Sequence, residues 1–300
     1  MGMCNNKSKS AYIFPGITNI NNMRAIEHEM LQKWISPYYD FLSALLSIDI
    51  EECISGTGYK KLTGIDSQII GYAVSCAVYD FYVKKRGVLE YVSGYSVGMF
   101  SAFYAVRSIS FISGVTFLHK LNKVIYDLCL NEEPFAMVSV VGLTKGQFLS
   151  VIGKRIDVDI VNQNSDVSMV ISGKESVIQE LEGDVFDAGA LFFKRLPVER
   201  PYHATFLTKC KEAWLDSMKS VEVRDPLTPV ISPTTRQILR NRKDCIYEIE
   251  NNFCSPFSWF ETLKQMWDLG IRDMYECGAG NDLEKIGKYS GLEHKYHRFI

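Results

Sequence analysis

The chain has 300 residues, 47% apolar and 23% charged, enough for one large core or two modest ones and far from a disordered composition. Its 33 basic and 35 acidic side chains leave a net charge of −2, which gives no electrostatic reason to expect nucleic acid as the main partner. Eight cysteines, none in a C-x-x-C pair, fall well below the roughly 8–10% of disulfide scaffolds, so buried free thiols are expected rather than zinc clusters or dithiol redox sites.

The start, MGMCNNKSKS, is polar and lacks the apolar core of a signal peptide. Gly2 does not make a myristoylation signal, because Asn6 stands where Ser or Thr is needed. The longest uncharged stretch, Tyr91 to Val106, is too short for a spanning helix and is broken by Gly94 and Gly98. A cytoplasmic protein is expected, with no membrane or nucleic-acid partner and no call for a metal or cofactor.

In chain order, AYIFPG (11–16) reads as a buried strand ended by a Pro-Gly loop. Residues 21–57 carry apolar positions at helical intervals, with SGTG (55–58) as a break. Ile69, Ile70, Ala73, Val74, Ala77, Val78 and Phe81 predict a long, mostly buried helix over 67–85. A strand follows at 88–92, then a turn rich in Gly and Ser, an apolar helix, and a further helix over 111–130. After Pro134 the rhythm changes to strand 136–143, helix 144–152, strand 158–162, strand 168–172, helix 174–188 and strand 191–197. That β-α-β-β-α-β order is the ferredoxin-like pattern. The chain then reads as helix 204–219, strand 228–232, helix 256–268 and strand 273–277. The expected fold is α/β: a large domain of residues 1–133 and 199–300, interrupted by a ferredoxin-like α+β subdomain at 134–198.

Gly94-Tyr95-Ser96-Val97-Gly98 matches G-x-S-x-G between a predicted strand and a predicted helix, the context this motif requires. Ser96 must stand on a tight turn that lifts its hydroxyl clear of the backbone. The two glycines remove side chains that would clash, and the next helix aims its N-terminal N–H groups at developing negative charge. A serine is inert without a base. Of the five histidines, His28 and His119 fall on polar helix faces and His294 and His297 in a charged tail, so all four are expected in solvent. His203, approached through the stiffening Pro197 and Pro201, is the candidate base.

GYSVG, RPYHATF, VNQNSDVSMVISG, SPFSWFETL and YECGAGNDL resemble motifs of the malonyl-CoA:acyl-carrier-protein transacylase family, the acyltransferase superfamily of fatty-acid and polyketide synthesis. The resemblance runs from about Tyr12 to Lys288. It implies a hydrolase-like α/β core with an inserted ferredoxin-like subdomain, Ser96 as nucleophile and His203 as base. It further implies that a backbone carbonyl, here of Asn252, orients the histidine. The implied oxyanion hole consists of the N–H groups of Val97 and of Ile17, the latter in FPGITNI where the family has FPGQGSQ.

The chain also departs from the family pattern. Malonyl-loading members carry an arginine twenty-five positions after the serine, whose fork pairs with the substrate carboxylate; here that position is Leu121. A malonate carboxylate without a partner would be desolvated at a cost of several kcal/mol, so Leu121 favours uncharged acyl groups, while Arg200 beside the base is a substitute that would keep malonyl specificity. GHSLGE becomes GYSVGM, placing Tyr95 beside the nucleophile and Met99 where an acid is usual. Tyr202, before His203, occupies a position tied to extender choice in polyketide acyltransferases. These five residues are the expected substrate pocket. The reading that leads is an acyl hydrolase, acting in trans in polyketide biosynthesis through an acyl-serine on thioesters of acyl carrier protein. The alternatives are acyl or malonyl transfer from CoA to the carrier-protein phosphopantetheine arm, and a non-catalytic homologue that only docks carrier protein. An acidic carrier protein calls for a basic patch, with candidates at Arg236, Arg240, Arg242 and Lys243, and at Lys84, Lys85 and Arg86.

Overall fold

The computed structural model of the chain describes residues 8–17, 29–55, 64–153 and 157–299. The first apolar run is strand β1 (Lys9–Phe14), whose Ala11, Tyr12, Ile13 and Phe14 are all buried. Consecutive burial on both faces is what a central strand of a parallel sheet requires. Helices α1 (Glu29–Leu46) and α2 (Ile50–Ser55) follow. Helix α3 (Gly64–Arg86) is buried without interruption from Ser67 to Tyr79, and its exposed last turn carries Lys84, Lys85 and Arg86, the sign that suits a helix C-terminus.

Strand β2 (Tyr91–Gly94) begins later than the apolar run suggests, and Val88 is exposed. Its parallel pairing with β1, which sets Gly94 opposite Phe14, decides the boundary. Helix α4 (Gly98–Ala105) and helix α5 (Phe111–Cys129) come next, the latter capped by Ser110 Oγ accepting from Ser113 N–H at 3.0 Å. The changed rhythm after Pro134 corresponds to β3 (Phe135–Val141), α6 (Lys145–Ile152), β4 (Val158–Ser165), β5 (Ser168–Lys174), α7 (Glu175–Asp187) and β6 (Phe192–Arg195).

The helix expected over 204–219 divides into a 3₁₀ turn at Thr205–Cys210 and helix α8 (Lys211–Met218). Asp159 of β4 takes both the N–H and the hydroxyl of Thr205, at 2.8 and 2.9 Å, which ties the first turn to another element. Strands β7 (Val230–Ile231) and β8 (Ile238–Leu239) precede helix α9 (Arg242–Asn251), which the apolar pattern does not announce. A 3₁₀ turn at Asn252–Cys254 leads to β9 (Phe257–Ser258), α10 (Trp259–Asp268), β10 (Ile271–Glu276), α11 (Asp282–Gly287) and β11 (Lys295–Arg298).

The strands form two sheets. One runs β11-β10-β1-β2-β7-β8, parallel except for its last pair, and the other β6-β3-β5-β4-β9, antiparallel except where β9 joins β4. The first packs its main core around α3, and α6 and α7 close a separate core on the second with Phe148, Ile178 and Leu181. Six cysteines are buried free thiols, as expected; Cys4 and the side chain of Cys53 lie outside the described part, as do His28 and 56–58 of the SGTG break. His119 is exposed, but the charged tail is not simply solvated. His294 is buried edge-on against Trp267, and His297 in β11 stacks on Tyr275 and reaches Asp273 at 2.8 Å. Parallel pairing of β11 with β10 draws this charged segment onto the sheet edge. Among the described residues no helix is long and apolar enough to cross a membrane.

Candidate active site

The nucleophile turn is built by backbone crowding. Ser96 follows β2 with a left-handed φ of +56°, a conformation costing roughly 1–2 kcal/mol for a non-glycine residue. Neighbours hold it there. A Cβ on Gly94 would meet the Gly98 carbonyl carbon at 2.3 Å, and one on Gly98 would meet the Phe14 carbonyl oxygen at 2.3 Å. Tyr95 N–H donates to that Phe14 oxygen at 2.8 Å, so the end of β1 and the turn are locked together. The Pro15-Gly16-Ile17 loop lies against the serine: a Cβ on Gly16 would stand 3.5 Å from Ser96 Cβ. Val97 is the residue before α4, and Ile17 is partly exposed on the loop.

The base is held by hydrogen bonds. His203, also left-handed at φ +64°, is 4% exposed and sits 107 residues from the serine in sequence. Its N–H donates to Phe253 O at 2.7 Å, and its ring lies edge-on against Phe257 with centroids 4.7 Å apart. Nδ1 is 2.6 Å from Asn252 O and Nε2 is 2.6 Å from Ser96 Oγ. A carbonyl only accepts, so Nδ1 carries the proton, Nε2 is bare, and the serine hydroxyl donates to it. Burial holds the imidazole down to about 4, against the upward pull of backbone hydrogen bonds at Asn252 and Ser255. The ring is therefore neutral at pH 7 and ready to accept a proton.

Tyr95 points away from solvent. Its hydroxyl accepts from Asn162 Nδ2 at 2.6 Å and donates to Asn164 Oδ1 at 3.3 Å, while its ring packs edge-on against Phe257 and Trp259. Burial pushes its hydroxyl up to about 12. Asn162 Oδ1 also accepts from Trp259 N–H, so the turn of one sheet is tied to β4 of the other. Tyr202 donates to Asn122 Oδ1 at 2.7 Å and accepts from Gln68 Nε2 at 3.0 Å, bridging α5 and α3 beside the histidine. Leu121 and Met99 are buried among the apolar side chains around α3. Arg200 sets its guanidinium over the ring of Tyr126, 5.3 Å from the centroid, and donates to Glu199 O.

Sequence reasoning thus places Ser96, His203 and the Asn252 carbonyl where the structure joins them, and it misses Gln68, Asn122 and Glu248. Gln68 carried a signal, a polar side chain among the apolar positions of the predicted helix, but only the tertiary contacts give it meaning, and Glu248 carried none, because it stands in a mostly polar run. Both candidate basic clusters are exposed. Arg242 is partly used internally, its Nε donating to Val223 O, and Lys84, Lys85 and Arg86 each lie over an aromatic ring.

No protein-family model matches the chain. Among curated proteins it is 23% identical over 285 residues to the malonyl CoA-acyl carrier protein transacylase of Buchnera aphidicola subsp. Schizaphis graminum, covering 93% of this chain and 91% of that one. It is 25% identical over 234 residues to the polyketide biosynthesis malonyl CoA-acyl carrier protein transacylase PksC of Bacillus subtilis, with 75% of each covered. Among solved structures, the acyl-carrier-protein S-malonyltransferase of Burkholderia pseudomallei superposes with a TM-score of 0.85 at 19% identity, covering 97% of this chain and 95% of that one. A malonyl-transacylase in complex with a type II PKS acyl-carrier protein superposes at 0.84 and 20% identity, covering 97% and 96%. In sequence, over nearly its whole length, the chain is similar to malonyl CoA-acyl carrier protein transacylases, and it has the fold of an acyl-carrier-protein S-malonyltransferase.

Proposed function

We propose that the chain is a serine acyltransferase that moves an acyl group between thioesters, with acyl carrier protein as the partner whose phosphopantetheine thiol gives or takes it. One observation carries this reading: the unbroken path from Ser96 Oγ through the His203 ring to Asn252 O, 2.6 Å at each step. As Ser96 Oγ attacks the thioester carbonyl, its proton passes to His203 Nε2. The N–H groups of Val97 and Ile17 are assigned to the oxyanion. Collapse breaks the C–S bond, the imidazolium returns the proton to the departing thiolate, and the acyl group remains as an ester on Ser96. A second thiol then repeats the sequence in reverse. Transacylase relatives support transfer, and the neighbour bound to a carrier protein supports that partner.

Leu121 favours a second reading, hydrolysis of uncharged acyl groups. It is 5% exposed in the apolar core, at the position where the resemblance leads one to expect a guanidinium, while Arg200 is engaged with Tyr126. Water in place of the second thiol then releases the acyl group as free acid. Incubation with acetyl-, longer acyl- and malonyl-carrier protein and with the matching CoA esters, followed by intact mass, tests both readings. Transfer loads a second carrier protein, whereas hydrolysis unloads the first and releases acid. Either activity must disappear in Ser96→Ala, and Leu121→Arg is expected to raise malonyl turnover relative to acetyl. A chain that neither acquires an acyl group nor turns over any of these thioesters overturns both.

A further inference from the structure

The carbonyl that orients the base belongs to a residue whose side chain is itself anchored. Asn252 Nδ2 donates to Glu248 Oε1 at 3.1 Å, one turn back at the end of α9. Glu248 is 0% exposed. Its carboxylate also accepts from the Ser232 hydroxyl at 2.5 Å and from the Thr234 hydroxyl at 2.8 Å. Ser232 Oγ accepts from Thr235 N–H, which leaves its own proton for the carboxylate. All three partners can donate, and among the described residues no lysine or arginine is paired with Glu248. Burying a carboxylate without a counter-ion is costly even when it is hydrogen-bonded.

Burial raises the Glu248 carboxyl above its usual range, and the hydrogen bonds from Ser232, Asn252 and Thr234 pull it back. The other titratable groups around this end of α9 are Cys245, one turn earlier, with Asp244 and Asp225 acting on it, and Cys254 with Lys211 beside the 3₁₀ turn. Burial keeps both thiols protonated, Cys245 up to about 11, and the Lys211 ammonium is held by Asn251 Oδ1 at 2.7 Å.

We propose that Glu248 is a positioning residue for the reaction: through the Asn252 side chain it fixes the carbonyl that orients His203, and its negative charge favours the imidazolium formed when Ser96 gives up its proton. The carboxylate thus does part of the work of a triad acid from one residue further away, without touching the histidine. The inference rests on the roles proposed for Ser96 and His203.

The test is the pH dependence of acyl-thioester turnover in the full chain. In Glu248→Gln the acid limb of kcat/KM, which reports the free enzyme, is expected to move toward lower pH: the Glu248 carboxyl, raised by burial, takes up its proton before His203 does as pH falls and so weakens the wild-type base first, whereas the variant leaves the limb to His203 alone. We expect kcat to fall roughly tenfold at an unchanged KM, the split of a transition-state effect. Glu248→Asp keeps the charge and is expected to leave the limb in place and recover part of kcat. A limb that stays put in folded Glu248→Gln overturns the proposal, however low its rate, because a purely structural role does not move it. If Glu248→Gln fails to fold, Thr234→Val removes one donor to the carboxylate, and an undiminished kcat there overturns the proposal. Activity that survives in Ser96→Ala sinks the proposed function itself, a separate failure.

Discussion

Ser96 and His203 are both non-glycine residues in left-handed backbone, at φ +56° and +64°, but different forces keep them there. At the serine the agents are steric: Gly94, Gly98 and the end of β1 pack so closely that no Cβ fits at either glycine. At the histidine they are polar: a backbone N–H to Phe253, a ring N–H to Asn252 and, behind Asn252, a buried carboxylate with three donors. The steric half is nearly all local, within five residues plus one neighbouring strand. The polar half is assembled across 49 residues of chain, from His203 to Asn252. A crowded turn is broken by an added atom, whereas a hydrogen-bonded site is broken by a lost partner or a changed charge.

Four outcomes break or sharpen this contrast. Ser96→Ala is expected to cut turnover by roughly 10⁴-fold or more while leaving the fold intact, measured by steady-state kinetics beside thermal unfolding. Gly98→Ala is expected to cost at least about 3 kcal/mol, the upper range for forcing an atom into a packed site, because its Cβ would meet two backbone oxygens of the β1 end within 2.4 Å. Denaturant unfolding measures it, and a well-folded Gly98→Ala near wild-type stability would show that the turn has slack. The base half should reveal itself in pH. His203 titrates near 4 in the folded chain, below its unfolded value of about 6.5, so the unfolded state takes up the proton first. Its contribution to stability is present above about pH 6.5 and lost as pH falls toward 4, and kcat/KM declines at the lower end of that range. His294, lowered to about 4 by burial and by Arg272, adds to the same slope. Unfolding followed at several pH values checks the sign, and stability rising toward pH 4 would contradict it. Smallest is Tyr95→Phe, which removes the hydroxyl between Asn162 and Asn164 and should cost about 1–2 kcal/mol with a modest loss of rate.

The same contrast separates what was legible in the residues from what was not. Strand β1 and helix α3 were readable as unbroken apolar runs of strand and helix length, and helix α5 and the alternation from 135 to 195 by the spacing of their apolar side chains. Helix α9 was not, since its run RKDCIYEIEN is mostly polar. The Asn241 cap to Asp244 N–H and the Cys245–Ile249 pair were its only local marks. Strand β11 and the burial of His294 escaped as well, because pairing to β10 and packing on Trp267 are supplied by distant chain.

Sequence alone determined the nucleophile turn: G-x-S-x-G between a strand and a helix leaves the backbone one way to pass, and sterics act between near neighbours. It also pointed to His203, but as one histidine among five. Only the tertiary structure decided that this ring loses its proton to burial and is aimed by Asn252, and that Glu248, Ser232 and Thr234 stand behind it. Long-range hydrogen bonds leave no period in the chain, and a buried polar group acquires its partners only once the fold has closed around it.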